Sequence, residues 1–141
     1  MIIAVIDGQG GGIGSSLIEV IRRELGNSIN ILALGTNALA TAAMLKAGAN
    51  QGATGENAIL VNAGKVDVIM GCLSIIIESA LVGELTSAMA QAIVNSTAKK
   101  IILQPNRNNI FVAGVSKQPL PHHIDDGLTL LKQFMGENKN V

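Results

Sequence analysis

Short apolar runs alternate along the chain with stretches whose apolar positions recur every three or four residues. The runs at 2–6, 29–34, 66–70 and 100–103 are brief and rich in Val, Ile and Leu, the signature of strands buried on both faces. The intervening stretches at 15–25, 38–48, 74–82, 86–95 and 121–135 have helical spacing; in the first, Leu17, Ile18, Ile21 and Leu25 share one face and charged residues fall between them. Residues 58–63 carry β-branched side chains, yet the strand at 66–70 follows too closely for a parallel crossover, so they are read as a helix. The turn at 104–109 is likewise too short for a crossover helix, and 110–113 is expected to pair antiparallel with 100–103. The alternation predicts an α/β fold: a three-layer, Rossmann-like sandwich around a mostly parallel sheet of about five strands, the last one antiparallel. It spans a single domain at 1–135, followed by a polar C-terminal tail at 136–141.

The first strand runs straight into Asp7-Gly8-Gln9-Gly10-Gly11-Gly12-Ile13-Gly14, five glycines in seven positions, and the first helix follows at once. Glycine accepts positive φ and lets a ligand approach where a Cβ would stand, while the unpaired N–H groups of a first helical turn point at that ligand. A strand, glycine loop and helix in this order form a phosphate cradle. The dinucleotide fingerprint with glycines at i, i+2 and i+5 fails, because position 13 is isoleucine. Gly8, Gly12, Ile13 and Gly14 instead resemble the TGxxxGIG loop of short-chain dehydrogenases, with Asp7 in place of the threonine. No lysine lies in the loop, which excludes a Walker-type P-loop.

Composition narrows the possibilities. Ten basic and ten acidic residues balance to zero charge, and there is no Trp or Tyr and only two Phe, so neither the basic footprint nor the stacking platforms of a nucleic-acid binder are present. Cys72 is the sole cysteine, which excludes an internal disulfide and suits a reducing compartment. Met1 leads directly into the first strand without an export signal, and the uncharged stretch 25–45 is interrupted by Asn27, Asn30, Gly35 and Asn37, so no membrane span is expected. The expected location is cytoplasmic. Apolar residues make up 48% of the chain and charged residues 14%, leaving little polar material to cover a small monomer; a homo-oligomer is expected.

In an open α/β sheet, ligands bind beyond the carboxyl ends of the strands. That edge collects the loops at 7–14, 35–37, 71–74 and 104–109, with 50–57 as a candidate lid. The expected ligand-binding set is Asp7, Gly8, Gln9, Gly10, Gly11, Gly12, Ile13 and Gly14 with Thr36, Asn37, Thr54, Asn57 and Arg107. No catalytic residue and no metal ligand is assigned. Asp7 has two readings. It could hold Mg²⁺ against a phosphate, or it could accept backbone N–H bonds from its own loop. At 35–37 the chain reads Gly-Thr-Asn, without the acidic ribose reader of NAD sites, and the absence of tyrosine rules out the Tyr-x-x-x-Lys chemistry of short-chain dehydrogenases. His122 and His123 beside Asp125 and Asp126 could form a metal site, although acidic residues also belong in a first helical turn for dipole reasons and adjacent histidines point apart. Cys72 reads as a small packed residue.

The glycine loop, the stretch Ala33-Leu34-Gly35-Thr36-Asn37-Ala38 and the loop Gly52-Ala53-Thr54-Gly55-Glu56-Asn57 together resemble a small bacterial family, domain of unknown function 3842. The resemblance implies a Rossmann-like fold over nearly the whole chain and supplies no activity. The residues themselves point to binding of a nucleotide, dinucleotide or other phosphorylated small molecule at 8–14. Two alternatives stand beside it: a non-catalytic structural or regulatory oligomer whose glycine loop serves packing, and a Mg²⁺-dependent phosphotransferase using Asp7.

Overall fold

The computed structural model describes residues 1–104 and 109–139, with side chains through residue 136. Five strands, β1 (Ile2–Asp7), β2 (Asn30–Gly35), β3 (Gln51–Thr54), β4 (Val68–Cys72) and β5 (Lys99–Leu103), form one sheet in the order β3-β2-β1-β4-β5. Every neighbouring pair is parallel. The helices are α1 (Gly12–Leu25), α2 (Ala38–Ala47), α3 (Glu56–Asn62), α4 (Ser87–Asn95) and α5 (Leu120–Lys139). The chain winds outward from β1 to β3, returns through α3 to β4 on the other side of β1, and ends at β5, so the order reverses between β1 and β4. This is the strand order of a doubly wound sheet, and its switch point lies at the carboxyl end of β1.

Alternation along the strands feeds two cores. Ile3 and Val5 of β1 join Ile31, Met70 and Leu103 under α1 and α5, where Leu17, Ile18, Ile21, Ile124, Leu128 and Leu131 close the layer. Ala4 and Ile6 point the other way and pack with Leu34, Ile69, Ile59 of α3 and Met89 and Ile93 of α4. Burying each such aliphatic side chain contributes about 1.5–3 kcal/mol. A polar clamp fixes the far end of the layer. Arg22 donates to the carbonyls of Gly48 (2.9 Å), Gly26 (3.2 Å) and Ile29 (2.7 Å) and to Asn50 Oδ1 (2.7 Å), tying the end of α1 to the starts of β2 and β3.

The architecture corrects four expectations. Among the described residues the sheet holds no antiparallel strand: 110–113 form no ladder with β5, and Phe111 is exposed. The fifth strand is instead β3, inside the stretch read as a lid, where Gln51–Thr54 pairs with 32–35 along the sheet edge. Its mostly exposed pattern gave no hydrophobic signal. The expected helix at 74–82 is one short 3-10 turn, Leu73–Ile76, followed by a loop in which Ser79, Leu81, Val82 and Gly83 have positive φ. The last helix continues through Gly136 to Lys139, into the stretch read as a tail. The helical reading of 58–63 matches α3, whose last residue is Asn62.

Candidate functional site

The loop after β1 is organised by Asp7. Its Oδ1 accepts the N–H of Gly8 and its Oδ2 the N–H of Gly14, both at 2.7 Å, and the residue is buried. A carboxylate that gathers two N–H groups across seven residues folds the loop back over its own strand end. Of the two readings of Asp7, the geometry matches the one in which it accepts its loop's backbone bonds. The turn closes with the N–H of Gly11 on the Gly8 carbonyl (2.9 Å), and Gly11, at φ 72°, leads into α1. Among the described residues, the N–H groups of Gly10, Gly12 and Ile13 have no hydrogen-bond partner; for Gly12 and Ile13, in the first turn of α1, the start of a helix dictates this.

The five glycines fall into two kinds. A Cβ on Gly8 would stand 2.6 Å from Thr36 Oγ1 and 2.7 Å from Leu81 Cδ1, one on Gly11 would meet the backbone of Ala40 at 2.9 Å, and one on Gly14 would meet Met44 Sδ at 2.6 Å. Packing of the loop on its neighbours accounts for these three. Gly10 and Gly12 are different: neither has left-handed φ, and a Cβ on either meets nothing within 4 Å. The protein's own packing gives no reason for glycine at those two positions. They border a cavity of about 270 Å³ at the switch point, walled by the loop, by Cys72, Leu73 and Ser74 at the end of β4, and by Leu81 and Val82.

The remaining expected residues divide in the same way. Thr36 and Asn37 sit beside the loop: the N–H of Thr36 donates to the Asp7 carbonyl (3.0 Å), while Asn37 caps α2 by accepting from Ala40 N–H (2.9 Å) and donates to the Gln9 carbonyl (2.9 Å). Thr54 and Asn57 are not brought into the cavity. Thr54 donates to Thr41 Oγ1 (2.8 Å) at the sheet edge, and Asn57 lies exposed in the first turn of α3. Arg107 lies outside the described residues. Cys72 is buried in the core and forms part of the cavity wall. His123 is buried and His122 exposed, so the pair does diverge; Asp125 and Asp126 fall beyond the first turn of α5, which removes the dipole reason offered for them. Among the described residues no group of three or more His, Cys, Asp and Glu side chains could hold a metal ion.

Sequence reasoning missed Glu84. Its Oε1 accepts from Thr36 Oγ1 (2.7 Å), Asn37 Nδ2 (2.6 Å) and the N–H of Gln9 (3.1 Å). The bonds from Thr36 and then Asn37 hold its carboxyl below the usual glutamate range; partial burial opposes them and the Gln9 N–H adds to them. A group whose pKa falls on folding adds stability above its unfolded value, about 4.3, and that contribution is lost as pH drops through the folded value. Wild type should therefore exceed Glu84→Gln in stability at pH 7, and urea unfolding should show the gap shrinking as the pH is lowered below about 4.3.

Glu84 arrives on the loop 77–85, which bonds to itself through five backbone pairs, among them Ser79 N–H to the Leu85 carbonyl (2.7 Å) and Leu85 N–H to the Ala80 carbonyl (3.1 Å). Val82 at its tip has φ 55° and is 94% exposed. A β-branched residue in that region carries about 1–3 kcal/mol of strain. Since Val82 loses no packing on truncation, Val82→Gly should stabilise the protein by about 1 kcal/mol after the entropic cost of glycine, measured by thermal or urea unfolding.

A parallel, doubly wound sheet with a glycine loop and a helix start at its switch point defines the class: an α/β protein built like those that hold ligands at that point. A sequence profile matching residues 2–136 then identifies the chain as a member of the family described as Domain of unknown function (DUF3842). No curated protein matches the chain. No helix of the described residues is long and apolar enough to cross a membrane.

Proposed function

We propose that the protein binds a phosphorylated small molecule, its phosphate resting on the N–H groups of Gly10, Gly12 and Ile13 at the start of α1. The observation that carries this reading is the pair of glycines, Gly10 and Gly12, that neither packing nor backbone conformation requires and that border the cavity at the switch point. Side chains there would fill the space a phosphate needs. The helix dipole adds about half a positive charge at the same place. Asp7 keeps the N–H groups in position and is already engaged through both oxygens, which favours binding over Mg²⁺-dependent transfer through that residue. Self-association is proposed as well, on the exposed Leu39, Leu60 and Val61 of α2 and α3.

The reading in which the loop serves packing alone accounts for Gly8, Gly11 and Gly14 but not for Gly10 and Gly12. Gly12→Val separates the two. The new side chain meets nothing, and helix propensity favours it slightly, so stability should hold or rise by at most about 0.5 kcal/mol. In a thermal-shift panel of nucleotides, sugar phosphates and inorganic phosphate, wild type should gain ~2.7 kcal/mol at a hundred times Kd from whichever compound binds, and Gly12→Val should gain nothing. A panel that leaves wild type unmoved, or a binder that stabilises Gly12→Val equally, argues for packing alone.

A further inference from the structure

Where a doubly wound sheet carries a dinucleotide, the pyrophosphate crosses the loop after β1 and the adenosine ribose turns toward the end of β2, where an acidic side chain reads its hydroxyls. In this chain that half of the edge is already filled. Thr36 Oγ1 and Asn37 Nδ2, at the end of β2, both donate to Glu84 Oε1, as does the N–H of Gln9 in the loop itself (2.7, 2.6 and 3.1 Å). Leu81 takes up the adjoining space: from the Cβ position of Gly8, Leu81 Cδ1 is 2.7 Å away and Glu84 Oε1 3.3 Å. The open volume of about 270 Å³ lies between the loop, Cys72, Leu73 and Ser74 at the end of β4, and Leu81 and Val82, so that Leu81 forms its wall on the side toward β2. That is below the ~300–1,000 Å³ of typical small-molecule sites.

We propose that the site is built for a compact phosphorylated molecule and that the loop 77–85, through Leu81 and Glu84, shuts out dinucleotides. This rests on the reading that the glycine loop binds phosphate. A dinucleotide lying across the loop would have to displace Leu81, break three hydrogen bonds to a carboxylate and bring its pyrophosphate beside that carboxylate, where like charges repel. The loop is a formed part of the structure, held by its five internal backbone bonds and anchored by Leu85, which is fully buried. The end of β2 thus lacks an acidic residue in sequence yet holds an acidic side chain in space, and its bonds turn inward to the protein's own donors.

Calorimetric titration of the full-length protein with inorganic phosphate and with NAD, in wild type, Glu84→Gln and Leu81→Ala/Glu84→Ala, tests the assignment. Phosphate should bind wild type, and the ratio of NAD to phosphate affinity should rise at least tenfold in the double variant and at least threefold in Glu84→Gln. Glu84→Gln keeps an oxygen for the three donors, so it reports on the charge should the double variant fail to fold. An unchanged ratio, including NAD silent throughout while phosphate binds, or NAD binding wild type as tightly as the variants, overturns the role of the loop and leaves the phosphate site standing. Phosphate silent in wild type removes the phosphate site and this inference together.

Discussion

Gly11→Ala should lower stability by about 3–4 kcal/mol, the largest loss expected from any single methyl group in the loop. Two costs add. The backbone at Gly11 is left-handed, φ 72°, which charges an L residue about 1–2 kcal/mol. The added Cβ would also lie 2.9 Å from both Cα and the carbonyl oxygen of Ala40, and backbone atoms inside α2 cannot swing aside as a side-chain tip could. Relief requires α1 and α2 to separate, which loosens Met44 in the layer between them. With a domain stability of about 5–15 kcal/mol, such a loss should lower Tm by at least 10 °C. Gly10→Ala is the internal control: the same chemical change one residue away meets nothing and should stay within about 0.5 kcal/mol.

Asp7→Asn should cost about 2–4 kcal/mol in urea unfolding. The substitution keeps shape and volume but replaces one acceptor oxygen with an N–H₂ group. One of the two N–H groups that Asp7 now accepts, from Gly8 or from Gly14, must then face another donor in a buried site. Hydrogen bonds to charged groups contribute about 1.5–3 kcal/mol, and a buried donor left unsatisfied costs about 1–3 kcal/mol. The consequence reaches function, because these two bonds hold both ends of the loop. A protein in which Asp7→Asn melts like wild type and still binds phosphate equally would show that the loop is held by something else.

The parts of the fold that were legible in sequence are those whose physics is local. β1, the glycine loop and α1 could be read because an apolar run, a cluster of glycines and a helical stripe follow one another without interruption. The starts of α2 and α4 are local in the same sense, because a capping side chain acts on an N–H three residues on, as Asn37 and Thr86 do at 2.9 and 3.2 Å. β3 was invisible because an edge strand reading Gln-Gly-Ala-Thr has little apolar surface; its place is set by pairing with β2, a non-local fact. Residues 74–82 misled because their apolar content suggests a buried helix, whereas left-handed backbone at Ser79, Leu81 and Val82 turns the chain back over the glycine loop. A short turn at 104–109 suggests an antiparallel strand at 110–113 only where burial supports that strand, and Phe111 and Val112 lie exposed instead.

The site divides along the same line. Asp7 and the glycines were legible because one short segment supplies them all. Glu84 was not, since it meets Thr36 and Asn37 across 48 and 47 residues of chain and only the path of 77–85 brings it there. The one sequence cue was Gly83 beside it, at the tip of that loop. The acidic group missing from the end of β2 therefore could not be found by looking near β2.

Everything proposed for this site depends on an anion resting at the start of α1. Two-dimensional amide NMR of the full-length protein during titration with inorganic phosphate tests it most directly. Saturable shifts are expected, largest at Gly10, Gly12 and Ile13 and absent from those positions in Gly12→Val. Amides of the loop that do not move, or shifts scattered over surface lysines with the loop unaffected, would contradict it.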